Sequence, residues 1–140
     1  MNNNATKADP VMFALMHAAR VLEDRMEAAL STVELSRPKL TVLSQLVAKG
    51  EPMTLSDLAA GMACVRSNMT QLVDRLEAEG LVRRIADGTD RRIVRAELTQ
   101  LGRDRQEAGA RQMEKIQADF TDALSAVDRD ALAQALSRLK

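Results

Sequence analysis

Met69, Leu72, Val73 and Leu76 recur at i, i+3, i+4 and i+7, a spacing that places four apolar side chains on one stripe of an α-helix. That helix ends at Glu79-Gly80, with glycine where the residue just past a helix is expected to be one. A shorter helical segment, residues 55–62, precedes it across a turn that holds Cys64-Val65. Two short β-type runs follow, residues 81–85 and 93–98, around the polar tip Asp87-Gly88-Thr89-Asp90-Arg91-Arg92. Helix, turn, helix, hairpin is the order of a winged helix-turn-helix. In that arrangement the second helix can enter a DNA groove while the hairpin reaches the neighbouring backbone.

The face opposite the apolar stripe carries Ser67, Thr70, Gln71, Asp74 and Ala78, with Asn68 and Arg75 on one flank. Hydroxyl and amide side chains can hydrogen-bond base edges or phosphates. Any solvated helix face can look like this, so the hairpin has to decide. Arg83, Arg84, Arg91, Arg92 and Arg95 fall within thirteen residues, and Asp87 and Gly88 are turn formers. An arginine projecting from such a tip can enter a narrow minor groove, where the negative potential is enhanced. The competing reading is a solvated charged loop. Twenty basic and twenty acidic residues give a formal net charge of zero, which argues against a protein that coats polyanions generally. The seven Arg and five acids of residues 66–95 are only a modest excess, so the electrostatic argument rests on where the wing arginines sit.

The segments LSDLAAGM, RSNMTQLVDRLEAEGLVRR and DGTDRRIVRAELTQLG resemble bacterial regulators of the multiple-antibiotic-resistance (MarR) family. The most specific part is Asp90-Arg91-Arg92 followed by Leu98-Thr99-x-x-Gly102. The resemblance implies a dimeric winged-helix transcription regulator, often released from DNA by a small ligand or by oxidation. It also implies that Asp90 orients an arginine near the minor groove; that role is carried to Arg92, with a supporting contact from Arg91. Val65 departs from the family, which commonly has Ser or Thr there as a helix cap; Val cannot cap, so Ser67 or backbone groups must serve.

Residues 1–9, rich in Asn, read as disordered. Pro10 suits a first helical turn, and residues 11–33 are amphipathic, with Met12, Leu15, Ala19, Leu22, Met26, Ala29 and Leu30 near helical spacing. That apolar face is wider than one small lobe needs, which points to a second chain. Ser36-Arg37-Pro38 opens another helix that stops at Gly50; Met53-Thr54-Leu55 reads as a short strand, and Thr54-x-x-Asp57 as a capping box. Thr99 is placed to cap a helix from Gln100 to about Leu124, and Ser125-x-x-Asp128 to start a last one. With two Phe and no Trp or Tyr, the core must be aliphatic, with the eight Met as adaptable filler.

Nothing points to an enzyme. The single His17 and single Cys64 are far apart in sequence, and there is no Gly-rich phosphate loop and no Cys/His cluster with metal-ligand spacing. No cofactor is expected. No apolar run approaches the roughly 18 residues of a membrane span, the start Met1-Asn2-Asn3-Asn4 lacks a secretion signal, and one Cys cannot form an internal disulfide; a cytoplasmic protein is expected.

The expected fold is mainly α with a small β-hairpin wing. Residues 38–98 are the winged reader of a single domain, 10–140, and residues 10–35 and 99–140 are a helical dimerisation lobe. The expected function is a homodimeric repressor on a pseudo-palindromic duplex, modulated by a small-molecule effector. Arg66, Ser67, Asn68, Thr70, Gln71 and Arg75 would serve the major groove and its flanking phosphates, and Asp90, Arg91 and Arg92 the wing. Two alternatives use the same scaffold. A protein-interaction module would have an apolar patch in place of the basic wing. A thiol redox switch would need an exposed, activated Cys64, whereas a small buried residue in the turn is the plainer role. His17 could line a ligand pocket between the first helix and the reader, or be structural or exposed.

Overall fold

The computed structural model describes residues 8–62 and 66–140; the side chains of Arg66 and Ser67, and all of Ala63, Cys64 and Val65, lie outside that description. Five of the helices start where a short polar side chain takes up a free N–H. Asp9 accepts from the Val11 N–H and opens α1, Pro10–Ser31. Ser36 accepts from Lys39 and opens α2, Arg37–Lys49, which has Pro in its first turn and ends on Gly50 in the left-handed conformation. Thr54 belongs to β1, Met53–Thr54, and also caps α3, Leu55–Gly61, through the Asp57 N–H. The recognition-type helix α4, Arg66–Ala78, leads into β2, Val82–Ala86, and β3, Val94–Leu98. Thr99 then caps α5, Gln100–Ala123. The last cap falls to Asp128 rather than Ser125, because the Asp128 carboxylate accepts from Ala131 and α6 spans Arg129–Ser137.

Both hairpin strands are shifted by one residue from the sequence expectation at their outer or inner ends, for identifiable reasons. Leu81 is consumed in closing α4: its N–H reaches the Leu76 carbonyl while the Gly80 N–H reaches Glu77, with Gly80 at φ +75°. This pair of bonds is the Schellman closure of a helix end. Ile93 closes the hairpin tip instead of extending the ladder, its N–H bonded to the Asp90 carbonyl. The strands form an antiparallel sheet in the order β1-β3-β2, with Ala96 on the central strand opposite both Met53 and Arg84.

The core lies between α2, α3, α4 and the sheet. Val42, Leu43, Leu46, Leu58, Met69, Val73, Leu76, Leu81 and Val82 are buried there, with Leu30 reaching in from α1. It is aliphatic, as the composition requires, and Met69 is its one fully buried methionine among the described residues; Met53, Met62 and Met113 pack at its edge. Both phenylalanines, Phe13 and Phe120, stand outside it.

The start of α5 is locked against the end of α4. The Leu81 carbonyl accepts from the Thr99 N–H at 3.1 Å and the Thr99 hydroxyl lies 2.6 Å from the Gly80 carbonyl, while the same hydroxyl accepts from Gly102. A Cβ on Gly102 would fall 2.0 Å from the Leu81 carbonyl oxygen, closer than any real contact. Gly102→Ala must therefore push α5 off the base of the wing and should cost about 1–3 kcal/mol, the usual penalty for overpacking. Thermal unfolding of the variant checks this; an unchanged midpoint would mean that the junction is looser than its geometry says.

Candidate nucleic-acid interface

The face of α4 away from the core divides into two rows. Asn68, Gln71 and Arg75 are exposed and line an open cleft against the start of α2, together with Pro38, Lys39 and Met62. Thr70 and Asp74 are also exposed but lie on the β2 side, where Arg84 reaches them. Of the expected major-groove residues, the structure thus places Asn68, Thr70, Gln71 and Arg75 on the solvent side of one helix. Arg66 and Ser67 open the same helix, with side chains outside the described residues.

The arginines that made the wing look uniformly basic have separate tasks. Arg83 lies directly opposite Glu97 in the β2–β3 register and donates to it at 2.6 Å. That hydrogen bond, and then the carboxylate's charge, raise the Arg83 pKa above its ordinary value. Arg84 donates to Asp74 and Glu77. Arg95 pairs with Asp87 at 3.5 Å across the base of the tip. Arg91 is exposed and has no ion pair or side-chain hydrogen bond among the described residues. Arg92 is almost wholly in solvent, with its side chain 92% exposed.

Asp90 holds the tip in shape. One carboxylate oxygen accepts from the Arg92 backbone N–H at 2.9 Å and lies 3.4 Å from its Nε. This is an Asx-turn, in which an aspartate side chain closes a turn two residues on. It fixes the Arg92 backbone and one edge of the guanidinium while leaving its outer nitrogens in solvent. The missed residue of this region is Glu77: both of its carboxylate oxygens are engaged by Arg84, one by the backbone N–H at 2.7 Å. Asp74 and Glu77 at i, i+3, followed by an arginine on the next strand, was the available signal.

No helix among the described residues is long and apolar enough to cross a membrane. No group of His, Cys, Asp and Glu among them could hold a metal ion. Cys64 and Val65, and with them the redox and capping questions, lie outside the described residues. His17 is exposed on α1.

A family profile described as MarR family matches residues 35–94, the span from the start of α2 to the start of β3. Over that span, 60 of its 140 residues, the chain is similar to the MarR family. Two relatives that it matches along most of its length are HTH-type transcriptional regulators. It is 29% identical over 131 residues to YsmB, an HTH-type transcriptional regulator of Bacillus subtilis (strain 168), covering 91% of this chain and 89% of the relative. Among solved structures it is similar to the transcriptional repressor CouR bound to a 23-mer DNA duplex, at a TM-score of 0.78 and 25% identity, covering 91% and 89% of the two chains. CouR from Rhodococcus jostii RHA1 is also known bound to p-coumaroyl-CoA, with a TM-score of 0.72, 24% identity and coverage of 96% and 93%. A mutant MarR from E. coli in complex with operator DNA has the same fold, at a TM-score of 0.77 and 20% identity, covering 93% of each chain.

The wing tip should depend on its aspartate even without DNA. Asp90→Ala removes the Asx-turn, so tryptic cleavage after Arg91 or Arg92 should become faster, by about two- to fivefold, as the tip opens locally. Mapping the first cleavage sites in native protein checks it; an unchanged rate would show that the carboxylate does not hold the tip.

Proposed function

We propose that this chain is a repressor that binds a pseudo-palindromic operator as a homodimer and leaves it when a small molecule binds. The observation that carries the reading is the two-sided character of α4. Met69, Val73 and Leu76 are wholly buried, while Asn68, Thr70, Gln71 and Arg75 face solvent beside a wing on which Arg92 is 92% exposed. A helix so anchored presents its polar row rigidly, which base readout requires. The similarity to CouR on a DNA duplex supports the same use of this face. In this reading Arg66, Ser67, Asn68, Thr70, Gln71 and Arg75 serve the major groove and nearby phosphates, and Asp90, Arg91 and Arg92 serve the wing.

The reader spans residues 38–98, and residues 10–35 with 99–140 form the dimerisation lobe. Support comes from the apolar surface that the single chain leaves in water. Val11, Met12, Phe13, Leu15 and Met16 on α1 are exposed, as are Phe120, Val127, Leu136 and Leu139 at the other end of the chain. Exposed apolar area of this extent is normal for a surface that meets another chain. The effector would act from the cleft between α1, α2 and the end of α3, lined by Glu27, Arg37, Pro38, Thr41 and Met62. Anything wedged there changes the angle between the lobe and the reader, and so the spacing of the two α4 helices. His17 is not part of that cleft.

Recognition helix and wing should fail differently. Gln71→Ala should cost about 1–3 kcal/mol on the preferred operator and less on sequences altered at the contacted base. Arg92→Ala should weaken binding to most duplexes and make the salt slope shallower by about one unit per lost phosphate contact in each subunit. Salt titrations of operator and scrambled duplexes separate the two; equal loss on every sequence for Gln71→Ala would remove it from the reading surface.

Met12 and Met16 are 50% and 61% exposed and share one face of α1. Glu at both positions should convert the dimer to monomers in sedimentation and weaken operator binding by at least about tenfold, since one half-site cannot supply specific affinity alone. A variant that stays dimeric would place the interface elsewhere.

A further inference from the structure

Arg84 is the most heavily engaged side chain of the wing, and it points back at the recognition helix. One guanidinium nitrogen donates to Glu77 at 3.0 Å. The other lies 2.5 Å from an Asp74 carboxylate oxygen and 3.4 Å from the Thr70 carbonyl. Glu77 returns the bond by accepting the Arg84 backbone N–H. The side chain is 25% exposed, so the guanidinium spans two turns of α4 from a half-buried position on β2. Its strand is fixed in turn: Arg84 lies opposite the buried Ala96 of β3.

Two consequences follow from charge and geometry. Asp74 and Glu77 are carboxylates on the helix proposed to lie against DNA. Unneutralised, they would face phosphates and repel them, because like charges brought together oppose binding. Arg84 stands between them and cancels one of the two charges while it bonds both. The same bonds tie strand β2 to α4, so that helix and wing move as one piece and present their contacts at a fixed separation.

We propose that Arg84 is a positioning residue for DNA binding: it masks the recognition helix's own carboxylates and holds the wing at a fixed angle to that helix, without itself contacting DNA. This rests on the reading of α4 as the DNA-facing helix.

The test is a double-mutant cycle on the full chain, with operator affinity measured well below the unfolding midpoint of every variant. Arg84→Gln should weaken operator binding by about tenfold, because it strips the neutralising charge from beside two carboxylates. The same substitution made in an Asp74→Asn, Glu77→Gln background should cost less than about threefold, because no carboxylate is then left to mask. Arg84→Lys, which keeps the charge but cannot bond both carboxylates and the Thr70 carbonyl in the planar manner of a guanidinium, should fall between wild type and Arg84→Gln. A direct phosphate contact gives the opposite pattern: an Arg84 freed from its acids would bind DNA better, and Arg84→Gln would then cost as much or more in the double background. That result overturns the proposal, as does an Arg84→Gln variant with wild-type affinity. Gln71→Ala measured alongside separates the two levels. If Gln71 matters and Arg84 does not, the clamp alone is wrong; if Gln71→Ala has no effect on any duplex, the reading of α4 is wrong.

Discussion

The carbonyl oxygen of Leu81 is the point where three parts of the molecule meet. It closes on Thr99 from the start of α5, sits one residue past the Schellman end of α4, and immediately precedes the first strand of the wing. Gly102 is needed there because no side chain fits in the space between α5 and that carbonyl. Everything proposed to touch DNA hangs on one side of this junction, and the long α5 hangs on the other. A displacement of α5 therefore has a short, stiff route to the reader. Stiffness matters because packed elements switch between discrete arrangements and do not deform smoothly.

The charges of the wing are arranged for order first and attraction second. Arg83, Arg84 and Arg95 each answer an acid on a neighbouring strand, helix or turn. Exposed pairs of this kind contribute little to stability individually. Their effect is on geometry: Arg84 and Arg95 are drawn in toward their acids, while Arg91 and Arg92 at the tip stay exposed. A chain with zero formal net charge can still offer DNA a positive point if its acids are occupied elsewhere.

Local signals were legible in the sequence, and the structure bears out most of them. Ser36, Thr54 and Thr99 cap helices because capping needs only a short polar side chain within three residues. Gly50 and Gly80 end helices for an equally local reason, their positive φ. The Asp90–Arg92 pairing was expected from the resemblance and is present in the tip. What one chain read in order could not reveal was which arginine meets which acid across elements. Arg84 counts as wing charge in sequence, and only the packing of β2 against α4 turns it toward Asp74 and Glu77. Ser125 looked as good a cap as Asp128, since both stand before the same apolar pattern and only the actual end of α5 decides between them.

Both phenylalanines lie outside the aliphatic core, on the surfaces left exposed at the two ends of the chain, and there is no Trp or Tyr. The described core therefore holds no aromatic chromophore. Any near-ultraviolet dichroism it possesses must come from Phe13 and Phe120, so that signal reports on how the ends of the chain are covered and is blind to the reader. A conventional optical melt would follow helix content, while the faint aromatic bands would follow the surroundings of Phe13 and Phe120, giving two separate readouts from an unlabelled molecule.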